Sequence, residues 1–369
     1  MKTGQRIPAR SKVIVQANNG LSQTHRLGPP CANGWRRHFL MRPPLPHVLS
    51  FVAAFMPAHL HAADAVASDS LAPLLAKPLY QFKEAEIGRY LGHLQATEPD
   101  LRRRIVHLAR KNIGQPYEIY LLGELPFETY DPQPLYCLGK SDCVVFAEHT
   151  YAMALSRDWS GFMRLLQRIR YRDGVLGVAT RNHYTEADWN PSNRWLVRDI
   201  TAELAGDQVK VFTERIDRSK FLLGRYDLKV DLPIENHRDP YLPYPEIARA
   251  LPHLQDGDCV NVVRGIAQPG HPNAEIFGGD AWVGHVGLVA HGADGVVHMI
   301  HSAEPAVREE PLTEFIARSV VAAQAPNAKQ RLLGFKFLRL AKDPLANLRK
   351  IDGDQMPRVV LPSGASAGF

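Results

Sequence analysis

Cysteine is scarce in this chain, with four in 369 residues, at positions 31, 137, 143 and 259. Four dispersed cysteines cannot make a disulfide scaffold, so the fold has to rest on a buried apolar core. Long hydrophobic runs are missing too. The most apolar stretch, Leu45 to Leu60, is broken by Pro57 and two histidines and falls short of the roughly 18 to 20 residues that a membrane helix needs. There is no internal repeat and no long linker. What is present is ordinary for a globular chain, 45% hydrophobic and 22% charged residues, which excludes disordered, collagenous and coiled-coil classes.

The formal charge of +6 suggests a nucleic-acid or membrane partner until its position is considered. The first forty residues hold seven Lys and Arg and no acidic residue, which leaves −1 for the rest of the chain. The basic character therefore belongs to one end, and a nucleic-acid partner is not expected. From Met41 the order is a short positive start at Arg42, an apolar centre from Val48 to Met56, and small residues at Ala62, Ala63 and Ala65. That is the order of a secretory signal peptide. The expectation is translation from Met41, with residues 1–40 a non-native or disordered leader, residues 41–63 a signal segment, and a periplasmic or secreted product without stable membrane insertion.

Residues 64–80 read as a flexible lead-in, residues 81–345 as one catalytic domain and residues 346–369 as a tail. Apolar residues at helical spacing predict a helical pair over 83–111, broken at Pro99, a helix from Ser141 and another through Phe162 to Ile169. Strand-like runs follow at 196–200, 209–212, 259–263, 286–290, 296–300 and 333–338, with a Gly- and Pro-rich loop expected over 265–282. Helices in front and strands behind predict an α+β fold, N-terminal helices packed on an antiparallel sheet.

The chemistry concentrates where these halves meet. Ser141 or Asp142 can cap the helix that follows, which puts Cys143 in its first turn. Free backbone N–H groups and the helix dipole there favour a thiolate over a thiol. Cys259 opens a strand and is expected in the core. Among 16 histidines, His285 stands out in Gly284-His285-Val286-Gly287, where the glycines leave room for close approach. Gly292-Ala293-Asp294-Gly295 then signals a hairpin turn into a strand carrying His298 and His301. Strand alternation puts those two on opposite faces, so one of them at most can orient the His285 imidazole.

With Asp142-Cys143, Gly284-His285-Val286-Gly287 and Ile300-His301-Ser302 in this order, the chain resembles NlpC-type papain-like cell-wall hydrolases. It is more similar still to their N-acetylmuramoyl-L-alanine amidase-like branch, through Gly114-Gln115-Pro116-Tyr117, Ile169 to Gly174, Arg181-Asn182-His183-Tyr184 and Arg198-Asp199-Ile200-Thr201. The resemblance implies a papain-like cysteine hydrolase fold and a chemistry with no cofactor and no metal. It implies Cys143 as nucleophile, His285 as general base and His301 as the third residue. The substrates it implies are peptidoglycan fragments, cut at the amide between the lactyl group of (anhydro-)N-acetylmuramic acid and L-alanine. Tyr117 is a candidate oxyanion donor. Arg181, Asn182, His183 and Tyr184 are candidate substrate contacts, Arg181 for a stem-peptide carboxylate and Tyr184 for a sugar face.

Three other functions fit parts of the pattern. A stem-peptide endopeptidase of the same superfamily would use the same groups. A zinc amidase would draw on His285, His291, His298 and His301, although the chain has no His-Glu-x-x-His motif. A non-catalytic peptidoglycan-binding module would leave Cys143 unreactive.

Overall fold

The computed structural model describes residues 71–119, 122, 135–267 and 281–353. The expected leader and signal segment lie outside the described residues, as do residues 64–70 of the lead-in, 268–280 of the expected loop and 354–369 of the tail. Among the described residues, no helix is long and apolar enough to cross a membrane.

Helices α1 (Ala72–Ala76), α2 (Glu84–Thr97), α3 (Leu101–Lys111), α4 (Cys143–Ala154) and α5 (Trp159–Arg170) come first. Each of the last three starts on an aspartate. The carboxylates of Asp100, Asp142 and Asp158 accept the free N–H groups of Arg103, Val145 and Gly161 at 2.9, 2.8 and 2.7 Å, the usual way of satisfying a helix start. α4 is buried from Val145 to Ala154, so it is the central helix and its sequence is apolar nearly all round.

Eight strands form one antiparallel sheet: β1 (Val197–Asp199), β2 (Lys210–Ile216), β3 (Glu235–Pro243), β4 (Cys259–Ile266), β5 (Ala281–His291), β6 (Val297–Ala303), β7 (Ala306–Pro311) and β8 (Gln330–Leu340). Their order is β2-β3-β8-β4-β5-β6-β7, with β1 also paired to β8. Shorter helices α6 (Thr201–Ala205), α7 (Arg218–Tyr226), α8 (Leu312–Ala322) and α9 (Pro344–Asp352) fill the connections and the end of the described chain.

Alternation along the strands makes two cores. Leu288, Ala290, Ile300 and Leu338 pack against Phe146, Tyr151 and Phe162 of the helices. Val289, Met299, Phe335 and Phe337 turn the other way and pack against Leu312 and Phe315 of α8. The expected α+β class and antiparallel sheet are therefore present. Most expected strands run longer than their apolar centres, and two strands carry no apolar signal. β3 reads ENHRDPYLP, with two prolines and one buried residue. β7 reads AVREEP.

Candidate active site

Asp142 caps α4 and places Cys143 at its first position, as the spacing predicts. β5 and β6 pair only from Leu288 to His291. Ahead of that ladder the Cys143 sulfur is approached by the backbone N–H of Val286, next in sequence to His285, and by those of Val144 and Cys143. These donors favour the thiolate, but they are outweighed. Burial, and then the neighbouring Asp142 carboxylate, push the Cys143 thiol up to about 12, so the resting group is the thiol. Burial, more than the carboxylate that caps the helix, opposes the thiolate that helix position alone favours.

The histidines are organised as a relay. His285 Nε2 lies 2.7 Å from His301 Nδ1, and His301 Nε2 lies 2.7 Å from Glu310 Oε1. Both rings pack against Phe315, the His285 ring stacked at 6.2 Å and the His301 ring edge-on at 5.7 Å. Glu310 is held in turn by Arg308 Nε at 3.1 Å and by Arg318 Nη2, which reaches Oε2 at 2.6 Å. Burial alone would raise the Glu310 carboxyl, but hydrogen bonds from His301, Arg318 and Arg308 hold it down at about 2. Ionised Glu310 can only accept, so the His301 proton sits on Nε2. Burial keeps His301 neutral, and its bare Nδ1 then accepts from His285 Nε2–H. That leaves His285 Nδ1 as a lone pair. Burial, followed by the charges of His301, Arg264 and Arg308, holds His285 well below the usual histidine range, so at neutral pH it is an uncharged base.

The glycines around His285 are explained by what crosses them. A Cβ at Gly284 would stand 2.7 Å from Arg264 Cδ, and one at Gly287 would stand 2.5 Å from Met299 Cγ and 3.3 Å from His301 Cβ. Gly287 lets β6 bring His301 against β5; Gly284 lets an arginine stem lie beside the base.

Other expected residues separate clearly. His298 Nδ1 bonds Glu309 at 3.1 Å and His291 Nδ1 bonds Asp256 at 2.7 Å, so of the two histidines on β6 it is His301 that meets His285. Among the described residues there is no group of three or more His, Cys, Asp or Glu side chains placed to hold a metal ion. Cys259 is fully buried, as expected of a core residue. Tyr117 is half-buried and its backbone runs beside Ser141, two residues before Cys143.

The Arg181 to Tyr184 segment is mostly committed inward. Asn182 is buried, donates to Ile169 O at 3.0 Å and accepts from Ser192. His183 Nε2 meets Val178 O at 2.7 Å. Arg181 pairs backbone with Tyr171 and its guanidinium points to Leu122 O at 3.4 Å. Tyr184 packs on Phe221 and under the Arg218 guanidinium. Asp199 takes a structural role, receiving Lys336 Nζ at 2.6 Å. Glu310, Arg308 and Arg318 had no sequence signal beyond a charged run that looks like a solvated face.

The architecture is an α+β one in which a capped helix carries a thiol at its first turn, seated on an antiparallel sheet that carries a histidine relay. Residues 107–321 match the family model described as AmiA-like, N-acetylmuramoyl-L-alanine amidase-like. The chain belongs to that family, and it is an enzyme of the amidase kind. The protein LPG0564 of Legionella pneumophila is 18% identical, covers 70% of this chain and 94% of its own, and superposes with a TM-score of 0.59, which shows a shared fold. An N-acetylmuramoyl-L-alanine amidase of Bacteroides uniformis is 20% identical over 66% of this chain and 99% of its own, with a TM-score of 0.48. No curated protein matches the chain.

Proposed function

We propose that the protein is an exported cysteine amidase of papain-like architecture. Its substrate in this reading is the amide between the lactyl group of N-acetylmuramic acid and L-alanine in peptidoglycan fragments. The observation that carries the reading is the relay from Glu310 through His301 to His285, which leaves one bare imidazole nitrogen on the strand that Cys143 touches. Family membership supports the amide as the bond cleaved. The signal-peptide order of residues 41–63 supports export.

In this mechanism His285 Nδ1 takes the thiol proton as Cys143 Sγ attacks the carbonyl carbon. The rise of the thiol to about 12 makes this transfer necessary, since no standing thiolate is available. The oxyanion that forms is met by the backbone N–H of Cys143 at the start of α4, with the Tyr117 hydroxyl as a second donor. His285, now protonated, is stabilised through neutral His301 by ionised Glu310, and it returns the proton to the departing alanine nitrogen. Water, deprotonated by the same imidazole, then opens the thioester.

Cys143→Ala removes the nucleophile without adding bulk. It is expected to lower muropeptide cleavage by at least about a thousandfold while the circular dichroism and melting temperature stay near wild type. Cleavage at a comparable rate in a folded Cys143→Ala protein would refute the assignment.

A further inference from the structure

Among the described residues, Arg264 stands apart from the other arginines of the site in having no ion pair. Arg308 and Arg318 are both held by Glu310, and Arg110 on α3 is held by Glu309. Arg264, near the end of β4, has no ion pair or hydrogen bond with a described residue, and none of its nitrogens is sealed away from the surface. The side chain is only half-exposed, and burial lowers its affinity for the proton. A partly desolvated guanidinium with no counter-ion among the described residues is unfavourable for the fold, which makes it available to an acidic ligand.

Its direction is set by the backbone. The β4 ladder shifts register against β5 between Val262 and Val263, and against β8 between Val263 and Arg264. Bulges of this kind re-aim a side chain. The Arg264 stem lies across Gly284, the one position beside the base without a Cβ to obstruct it. Its charge reaches both His285 and Cys143. A planar fork of donors whose charge reaches Cys143 fits a carboxylate in two-point fashion.

We propose that Arg264 forms a carboxylate subsite of the active site, binding an acidic group that the substrate carries close to the amide attacked by Cys143. The proposal rests on the reading of Cys143 as nucleophile, and it narrows the substrate class to N-acyl peptides with a free carboxylate near the scissile bond. It assigns to Arg264 the role that the sequence pattern suggested for Arg181.

Alkylation of Cys143 by iodoacetate and by iodoacetamide tests this without any amide hydrolysis. Both rates scale with the same thiolate fraction, so their ratio at one pH isolates recognition of the carboxylate. Modification at Cys143 is read by peptide mass, which separates it from Cys259. In the wild-type full chain the iodoacetate to iodoacetamide ratio is expected to exceed that of free cysteine by about tenfold or more, the scale of a charge-assisted hydrogen bond. Arg264→Gln should bring the ratio down to the free-cysteine value, and Arg264→Lys should leave it between the two. A wild-type ratio no higher than that of free cysteine overturns the proposal even if no variant folds. A ratio unchanged in Arg264→Gln overturns it as well. Failure of the amidase reading would show separately, as muropeptide cleavage that persists in Cys143→Ala.

Discussion

Asp142 acts on Cys143 in two opposing ways, and the balance decides how the site works. Its carboxylate caps α4 and so fixes Cys143 among free N–H groups, yet that carboxylate and burial together push the thiol up to about 12. Position at the helix start was legible in the sequence; the opposing charge was in plain view beside it, but the extent of burial was not. The consequence is a neutral thiol at the start of α4, approached by the Val286 N–H next to a neutral imidazole. In the absence of substrate, iodoacetamide should alkylate Cys143 about tenfold faster with each unit of pH from 7 to 10, whereas a plateau beginning near pH 5 would reveal a preformed ion pair. In the proposed mechanism the base is uncharged His285, which burial holds well below the usual histidine range. The acid limb of kcat/KM should therefore lie below pH 6.5, the ordinary histidine value. Glu310 fixes the tautomers of both histidines. Glu310→Gln, which can also donate, should lower kcat by roughly 10- to 100-fold with KM little changed, and Glu310→Asp should recover part of it. A large change in KM with kcat intact would contradict a positioning role.

At the scale of elements, the strand pair β5 and β6 holds most of the site, and glycine explains why. Gly284 and Gly287 flank the base because an arginine stem crosses one and β6 presses on the other. The glycines signalled close approach in the sequence, though not what approaches. The neighbouring segment is tied to this strand by Glu186, which accepts the N–H of Val283 at 3.0 Å. Glu186 shares a hydrogen bond with buried Glu214 on β2, whose carboxyl burial holds well above its ordinary range. For an acid with a raised folded pKa, the stability is fully present below the unfolded value near 4.5 and is lost as pH rises from there toward the folded value. Glu214→Gln keeps a neutral donor at every pH. It should melt about 2 to 4 °C higher than wild type at pH 8 and converge with it near pH 4; a variant that melts lower at both pH values would show that the pair is not sharing a proton. β3 and β7 escaped the sequence reading for a related reason. Their polar residues are satisfied by ion pairs such as Arg218 with Glu235 and Arg110 with Glu309, so no alternation of apolar residues marks them as strands.

For the whole molecule, the scarcity of cysteine has a different meaning once the sheet is seen. Cys143 and Cys259 are free thiols 116 positions apart in a chain whose stability comes from two apolar cores. One is at the meeting point of helices and sheet, and the other is sealed in the core. Fold class and the helix start that carries Cys143 could be read from capping residues and periodicity, because these are local, while His285 was marked only by its flanking glycines. Alternation alone left His298 and His301 open, the resemblance pointed to His301, and it is His301 that meets His285; Glu310 with its two arginines needed the turn from β7 into α8, which no local pattern encodes. The central claim is that a thiol, activated by a histidine relay, cuts the lactyl–alanine amide. Defined muropeptides should be incubated with the full chain, untreated, alkylated to completion at Cys143, or treated with a chelator, and the products weighed by mass spectrometry. The account predicts free N-acetylmuramic acid and a peptide beginning at L-alanine, abolished by alkylation and unaffected by the chelator. Cleavage within the stem peptide, or activity that survives alkylation and is lost to the chelator, would contradict it.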